Sequence, residues 1–227
     1  MRILIINPNG DAADSLANEA TARRYAHPQT EVVAVHPPMR TPQGLGGHGA
    51  TAWATEATLQ LARSRGDGFD AVVIACFEDP GLYGARELLA APVFGIAESA
   101  MLIARTLGHS FSIITTPARY RPITTDLVRL YGLERRCASV RTVELPEPLL
   151  DDDTAAAILS IEARRALEED GAEVLIIGCS KLSRFDKELE RSLGVPVLDG
   201  VACAIKLAEA CVGYGLRTSK RLGFSPP

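Results

Sequence analysis

Several features are scarce in this chain of 227 residues, and each absence excludes something. There is no cationic excess: 24 Lys and Arg stand against 28 Asp and Glu, for a formal net charge of −4. No electrostatic footprint for nucleic acid or for an anionic membrane surface is present. No apolar run approaches the length of a membrane-spanning helix, about 20 residues. The first residues enter a strand-like run, Arg2-Ile-Leu-Ile-Ile6, with no signal-peptide layout. The five cysteines are odd in number and irregularly spaced, with no Cys-x-x-Cys pair and no His/Cys ligand cluster. That argues against a disulfide framework and against a zinc site, and it makes a reducing cytoplasm the expected compartment. The glycines 44, 46, 47 and 49 follow Pro42 and precede a helical pattern. They lack the strand–turn–helix context of a dinucleotide fingerprint, so a loop that covers a site is the better expectation.

What is present is an alternation. The chain is 47% hydrophobic and 23% charged, enough for a large core in one domain or two small ones. Short apolar, β-branched runs at 3–6, 31–35, 72–75, 93–96, 110–114, 140–145, 174–177 and 196–198 read as strands. Helical spacing covers 15–25, 53–64, 82–89, 123–131, 155–167, 187–193 and 201–212. Asp14 or Ser15 is the expected cap of the first helix, and Asp152 or Asp153 that of the fifth. Asp151-Asp-Asp153 is better explained by a helix N-terminus than by a metal.

The second half repeats the first. Ile5-Ile6-Asn7-Pro8 matches Ile113-Ile114-Thr115-Thr116-Pro117, and His36-Pro37-Pro38 matches Leu145-Pro146-Glu147-Pro148. Cys76 matches Cys179, and Ala91-Pro92-Val93 matches Val195-Pro196-Val197. The order is kept at an offset of about a hundred residues, too long for a solenoid repeat. Duplication of an α/β half-domain follows. The expected fold is α/β: two pseudo-symmetric half-domains, each a parallel four-stranded sheet flanked by helices, with the active-site cleft between them. The expected boundaries are 1–97 plus 206–227 for the half with Cys76, and 98–205 for the half with Cys179.

Both cysteines fall where a buried strand ends, the edge at which open α/β sheets bind ligands. A thiolate is the reactive form of cysteine, favoured by helix N-termini and cations. Two thiols on opposite faces of one carbon suit inversion: one removes a proton and the other returns one. No metal or organic cofactor is required if the carbanion lies next to a carbonyl and backbone N–H groups hold the oxygen. A small-molecule substrate is the expected partner, with neither nucleic acid nor membrane.

Ile6-Asn-Pro-Asn9, Ala75-Cys-Phe-Glu-Asp-Pro-Gly-Leu82 and Gly178-Cys179 resemble the aspartate/glutamate/hydantoin racemase superfamily. The runs Arg129–Val140 and Val201–Lys220 are similar to its hydantoin racemase branch. The resemblance covers nearly the whole chain. It implies cofactor-independent racemisation by Cys76 and Cys179, substrates such as five-substituted hydantoins or allantoin, and a homo-oligomer. It also implies that the last helix packs on the first half. Three places depart from the pattern. Gly44-Leu45-Gly46-Gly47 stands where the family has Ser-Ile-Glu-Gly. Glu78 stands where a common form has glycine. Ser180-Lys181-Leu182 stands where many members have Ala-Gly-Met.

The candidate substrate-binding residues are Asn7, Leu45, Gly47, Phe77, Glu78, Thr115, Thr116, Ser180 and Lys181. Each has a plainer reading. Asn7, Thr115 and Thr116 are also turn formers. Phe77 also suits a core. Asp79 is the expected cap of the following helix, and Ser180 is a possible cap. His48 is expected in solvent, and Cys137, Cys203 and Cys211 in packing or at the surface. Two other functions stay open on the same residues: decarboxylation or isomerisation of small diacids, and binding of a small ligand without turnover.

Overall fold

The computed structural model describes residues 1–42, 47–145 and 152–225, without the side chains of Asp152 and Lys181. Leu45, Gly44, Gly46 and Asp151 lie outside the described residues. The chain forms two compact units, Met1–Ser99 with Val201–Pro227, and Ala100–Gly200.

The first unit holds strands β1 (Arg2–Ile6), β2 (Glu31–Val35), β3 (Ala71–Ile74) and β4 (Val93–Gly95) in the order β2-β1-β3-β4. The second holds β5 (Phe111–Thr115), β6 (Cys137–Thr142), β7 (Val174–Ile177) and β8 (Val197–Asp199) in the order β6-β5-β7-β8. Every pairing is parallel. The two sheets therefore share one topology, as the sequence repeat requires. Ile6 pairs with Ile74 in one sheet, and Ile114 with Ile177 in the other. Residues Ile3–Ile6, Ala71–Ile74 and Val174–Ile177 are buried on both faces, which explains why these strands read as continuous apolar runs.

The helices are α1 (Ala12–Tyr25), α2 (His48–Arg65), α3 (Leu82–Leu88), α4 (Ile96–Leu107), α5 (Arg121–Leu130), α6 (Asp152–Glu168), α7 (Asp186–Leu193) and α8 (Gly200–Gly213). Among the described residues no helix is long and apolar enough to cross a membrane. Asp11, rather than Asp14 or Ser15, caps α1, its carboxylate accepting from Ala13 N at 2.9 Å and Asp14 N at 3.4 Å. Gly194 ends α7 at φ +70°, its N–H bonded to Glu190 O, a conformation that favours glycine. In the second unit α6 and α7 cover the sheet through Leu159, Ala163, Ala166 and Leu189, against Leu175, Ile177 and Val197.

Two elements differ from the sequence reading. β6 lies about three residues earlier than expected because it is an edge strand with a mixed, half-exposed pattern, and the apolar signal of Val143 and Leu145 pulls the reading late. α4 is absent from the sequence reading altogether. It follows β4 without a turn, and Val93–Ile96 passes for one strand. Its inner positions Ile96, Ala97, Ala100, Met101 and Ala104 are almost fully buried.

The C-terminal residues strap α3. Lys220 Nζ donates to the Arg86 and Glu87 carbonyls at 2.5 and 2.9 Å, and Thr218 bonds to Ala90 and Ala91. A cation at a helix C-terminus is favoured by the exposed carbonyls and the helix dipole. Arg86 pairs with Glu98 of α4 and lies 5.9 Å from the centre of the Phe224 ring. The segment carrying Cys76 is therefore followed by a helix held at its C-terminal end.

Candidate active site

In a sheet of this order, the chain passes from β1 to β2 on one side and on to β3 on the other. The switch point lies between β1 and β3, and its counterpart between β5 and β7, at the strand C-termini. Asn7 follows β1 and Cys76 ends two residues past β3. Thr115 closes β5 and Cys179 ends two residues past β7. Each unit thus carries one cysteine at its own switch point. Ala75 N bonds to Ile6 O at 2.8 Å, and Gly178 N to Ile114 O at 2.7 Å, so the last ladder bond before each cysteine is the same.

Around Cys76 the loop is built by its own acids. Cys76 Sγ donates to Glu78 Oε2 at 3.8 Å, and the Thr51 hydroxyl lies 3.2 Å from the same oxygen. Thr51 sits in the first turn of α2, and its hydroxyl is also 3.0 Å from Gly47 O. Gly47 caps that helix at φ +56°, a value few other residues adopt. Burial raises the Glu78 carboxyl to about 6, against the opposing pull of the Thr51 and Cys76 bonds. Phe77 is buried. His48 is exposed at the start of α2.

Asp79 does not cap α3, whose N-cap is Gly81 with no side-chain bond. Its carboxylate instead accepts from Ala97 N at 3.0 Å and Glu98 N at 2.8 Å, at the start of α4. Those amides have no acceptor in the preceding residues, so α4 borrows its cap from the cysteine loop. Asp79 adopts φ +45° and is buried, and a Cβ on Gly95 would come within 2.2 Å of its Cγ. Gly95 is therefore the space that admits the carboxylate. Cys76 does not abut α3 either: bonds from Asp79 N to Cys76 O and from Leu82 N to Asp79 O make two turns between them.

Asn7 is buried, and its amide joins β1 to α1: Nδ2 donates to Asp11 O at 3.0 Å and to Ser15 Oγ at 2.8 Å, while Oδ1 accepts from Asn9 N at 3.3 Å. In the second unit the Thr115 hydroxyl donates to Gly178 O at 2.9 Å, fixing the peptide before Cys179. A Cβ on Gly178 would lie 2.9–3.1 Å from Ile113, Ile114 and Thr115, so only glycine fits without displacement. Cys179 opens a short 3-10 helix, Ser180–Phe185, with Leu182 N bonded to its carbonyl. Thr116, Cys179 and Ser180 are half-buried. Leu45 and the Lys181 side chain lie outside the described residues.

All five cysteines are thiols rather than disulfides. Burial pushes the Cys137 thiol up to about 11, against its bond to Ser139 O, which disfavours its thiolate at neutral pH. Cys203 is buried in α8. Among the described residues no three His, Cys, Asp or Glu side chains gather in a metal-binding group. Sequence reasoning missed Thr51 and the destination of Asp79. Thr51 carries a weak signal, a helix-first-turn hydroxyl after a glycine loop. Asp79 carries none without α4.

Residues 3–208 match the family model described as Asp/Glu/Hydantoin racemase. The chain is 41% identical to a hydantoin racemase of Rhizobium meliloti over 100% of its own length and 95% of the relative's. Among solved structures it resembles an allantoin racemase from Klebsiella pneumoniae, with TM-score 0.93 and 39% identity over 100% of this chain and 94% of that one. It also resembles an allantoin racemase from Pseudomonas fluorescens, with TM-score 0.94 and 36% identity over 100% and 97%. The chain belongs to the Asp/Glu/hydantoin racemase family, and its enzyme class is that of a racemase.

Proposed function

We propose that this racemase inverts the carbon α to a carbonyl in a hydantoin-like compound, a five-substituted hydantoin or allantoin, with Cys76 and Cys179 as its two acid/base groups. The observation that carries the reading is the equivalence of the two cysteines. Each lies two residues beyond the same central strand of a repeated sheet, at the edge where such sheets bind ligands. The named relatives, hydantoin and allantoin racemases matched over the full chain, support the substrate class.

In this mechanism one sulfur is a thiolate and the other a thiol. The thiolate takes the proton from one face of the α carbon. The electrons of that C–H bond move into the adjacent carbonyl, and an enolate forms. The second thiol then gives its proton to the opposite face, so the sulfurs exchange protonation states while the substrate inverts. The hydantoin ring holds its C–H next to a carbonyl, which makes the carbanion an enolate rather than a localised charge. Backbone N–H groups of Phe77 and Ser180 are proposed donors to its oxygen. Asn7, Leu45, Gly47, Glu78, Thr115, Thr116 and Lys181 are the proposed substrate contacts. The chemistry requires no metal or organic cofactor, and a cytoplasmic homo-oligomer completes the reading.

The test is polarimetry on one enantiomer of a five-substituted hydantoin and of allantoin, with the α position followed in D₂O. Optical activity should decay to zero with one deuterium gained per inversion. Cys76→Ser and Cys179→Ser should each lower turnover by at least about a thousandfold, as expected for loss of an essential proton-transfer group. Full activity in both variants would end the two-thiol mechanism.

A further inference from the structure

The Glu78 carboxylate is bonded to the Cys76 sulfur, two residues away in the same loop. Oε2 meets two donors, the Cys76 thiol at 3.8 Å and the Thr51 hydroxyl at 3.2 Å. Thr51 has one proton and two acceptors in reach, because Gly47 O lies 3.0 Å away. The Cys76 S–H has the Glu78 carboxylate before it in either arrangement. That carboxylate stabilises the thiol by accepting its proton in a hydrogen bond, and it repels the thiolate at close range.

We propose that Glu78 keeps the proton on Cys76 in the resting enzyme, so that Cys76 is the resting acid and Cys179 the resting base of the pair. The assignment of Cys179 rests on the racemase reading above, whereas the pairing of Glu78 with Cys76 does not. Besides the substrate contact proposed for it, Glu78 is a positioning residue here. It acts through the sulfur and takes no part in the bond changes at the substrate. Among the described residues, the hydroxyl of Thr51 in α2 and the thiol of Cys76 in its own loop are the side chains bonded to its carboxylate. The neighbouring Asp79 carboxylate is committed to the amides of α4. Above the range where Glu78 ionises, the charge beside the sulfur is permanent. The asymmetry has a consequence for turnover: the enzyme enters the cycle ready for the enantiomer whose proton faces Cys179.

The experiment is site-resolved alkylation of the whole chain with iodoacetamide at pH 7, read by peptide mass spectrometry over time. Cys137, with its raised thiol, serves as a slow internal reference. In the parent protein Cys179 should be labelled ahead of Cys76. In E78Q, which keeps the shape and removes the charge, Cys76 labelling should rise roughly tenfold or more while Cys179 stays as it was. Cys76 labelled ahead of Cys179 in the parent would overturn the proposal. So would an E78Q variant whose Cys76 rate is unchanged, or one in which both cysteines shift together. Labelling needs no turnover, so the two readings separate. A protein without racemase activity but with the expected E78Q effect sinks the racemase reading and leaves the pairing. An active racemase whose labelling ignores E78Q sinks the pairing alone.

Discussion

The Glu78 carboxyl should make the protein less stable at neutral pH than it is in mild acid, and E78Q should remove that loss. Burial raises this group from 4.5 to about 6 in the folded protein. A raised carboxyl binds its proton more tightly folded than unfolded, so between these two values the native state holds more protons than the unfolded one. Stability therefore falls as pH rises through that window, the reverse of the usual paired carboxylate. Below about 4.5 both states are protonated and the group contributes no penalty. Above about 6 the full penalty is present, on the order of 2 kcal/mol at 1.36 kcal/mol per unit. Glutamine has the same shape and no charge to bury. The assay is chemical denaturation of parent and E78Q at matched pH, away from the sequence pI of about 5.6. Taking the difference at each pH cancels every other titrating group. E78Q should equal the parent near pH 4.5 and exceed it by about 2 kcal/mol at pH 7 and above. A difference that is flat with pH, or that favours the parent as pH rises, would refute the reasoning, because it would mean the carboxylate gains at least as much from its partners as it loses to burial. An acid kept at this cost at a strand-end site is what a functional demand on the residue would look like.

Further consequences follow from the same loops. Asp79→Ala leaves the Ala97 and Glu98 amides without their acceptor and should cost about 3 kcal/mol, while Asp79→Asn keeps one acceptor, tolerates positive φ and should cost about 1 kcal/mol; amide hydrogen exchange at the start of α4 checks both. Gly95→Ala should do similar damage by expelling the carboxylate, since its Cβ would overlap Asp79 Cγ. Gly178→Ala crowds Ile113, Ile114 and Thr115 just before Cys179 and should destabilise by about 1–3 kcal/mol, read as a lowered melting temperature.

The architecture was legible where the signal was local and doubled. β1, β3, β5 and β7 are buried on both faces, so their apolar runs needed no context, and the duplicated order of landmarks gave the two matching sheets. β6 was misplaced because an edge strand lacks that signature. α4 was missed because its N-cap, Asp79, lies 18 residues upstream and arrives through space. A helix capped from elsewhere has no start signal of its own. The same fact hid the job of Asp79, which looked like a cap for α3. The cysteines were found because the repeat marks them twice. Thr51 was not, since a single hydroxyl in a helix first turn is too weak a signal until Glu78 is seen beside it.

The central claim is that two thiols act on opposite faces of one carbon. The most direct measurement is α-proton exchange in D₂O with each enantiomer separately, in Cys76→Ser and in Cys179→Ser. Each variant should exchange the proton of one enantiomer only, with its configuration retained, and the two variants should choose opposite enantiomers. Equal exchange of both enantiomers in either variant, or inversion at the parental rate, would contradict it.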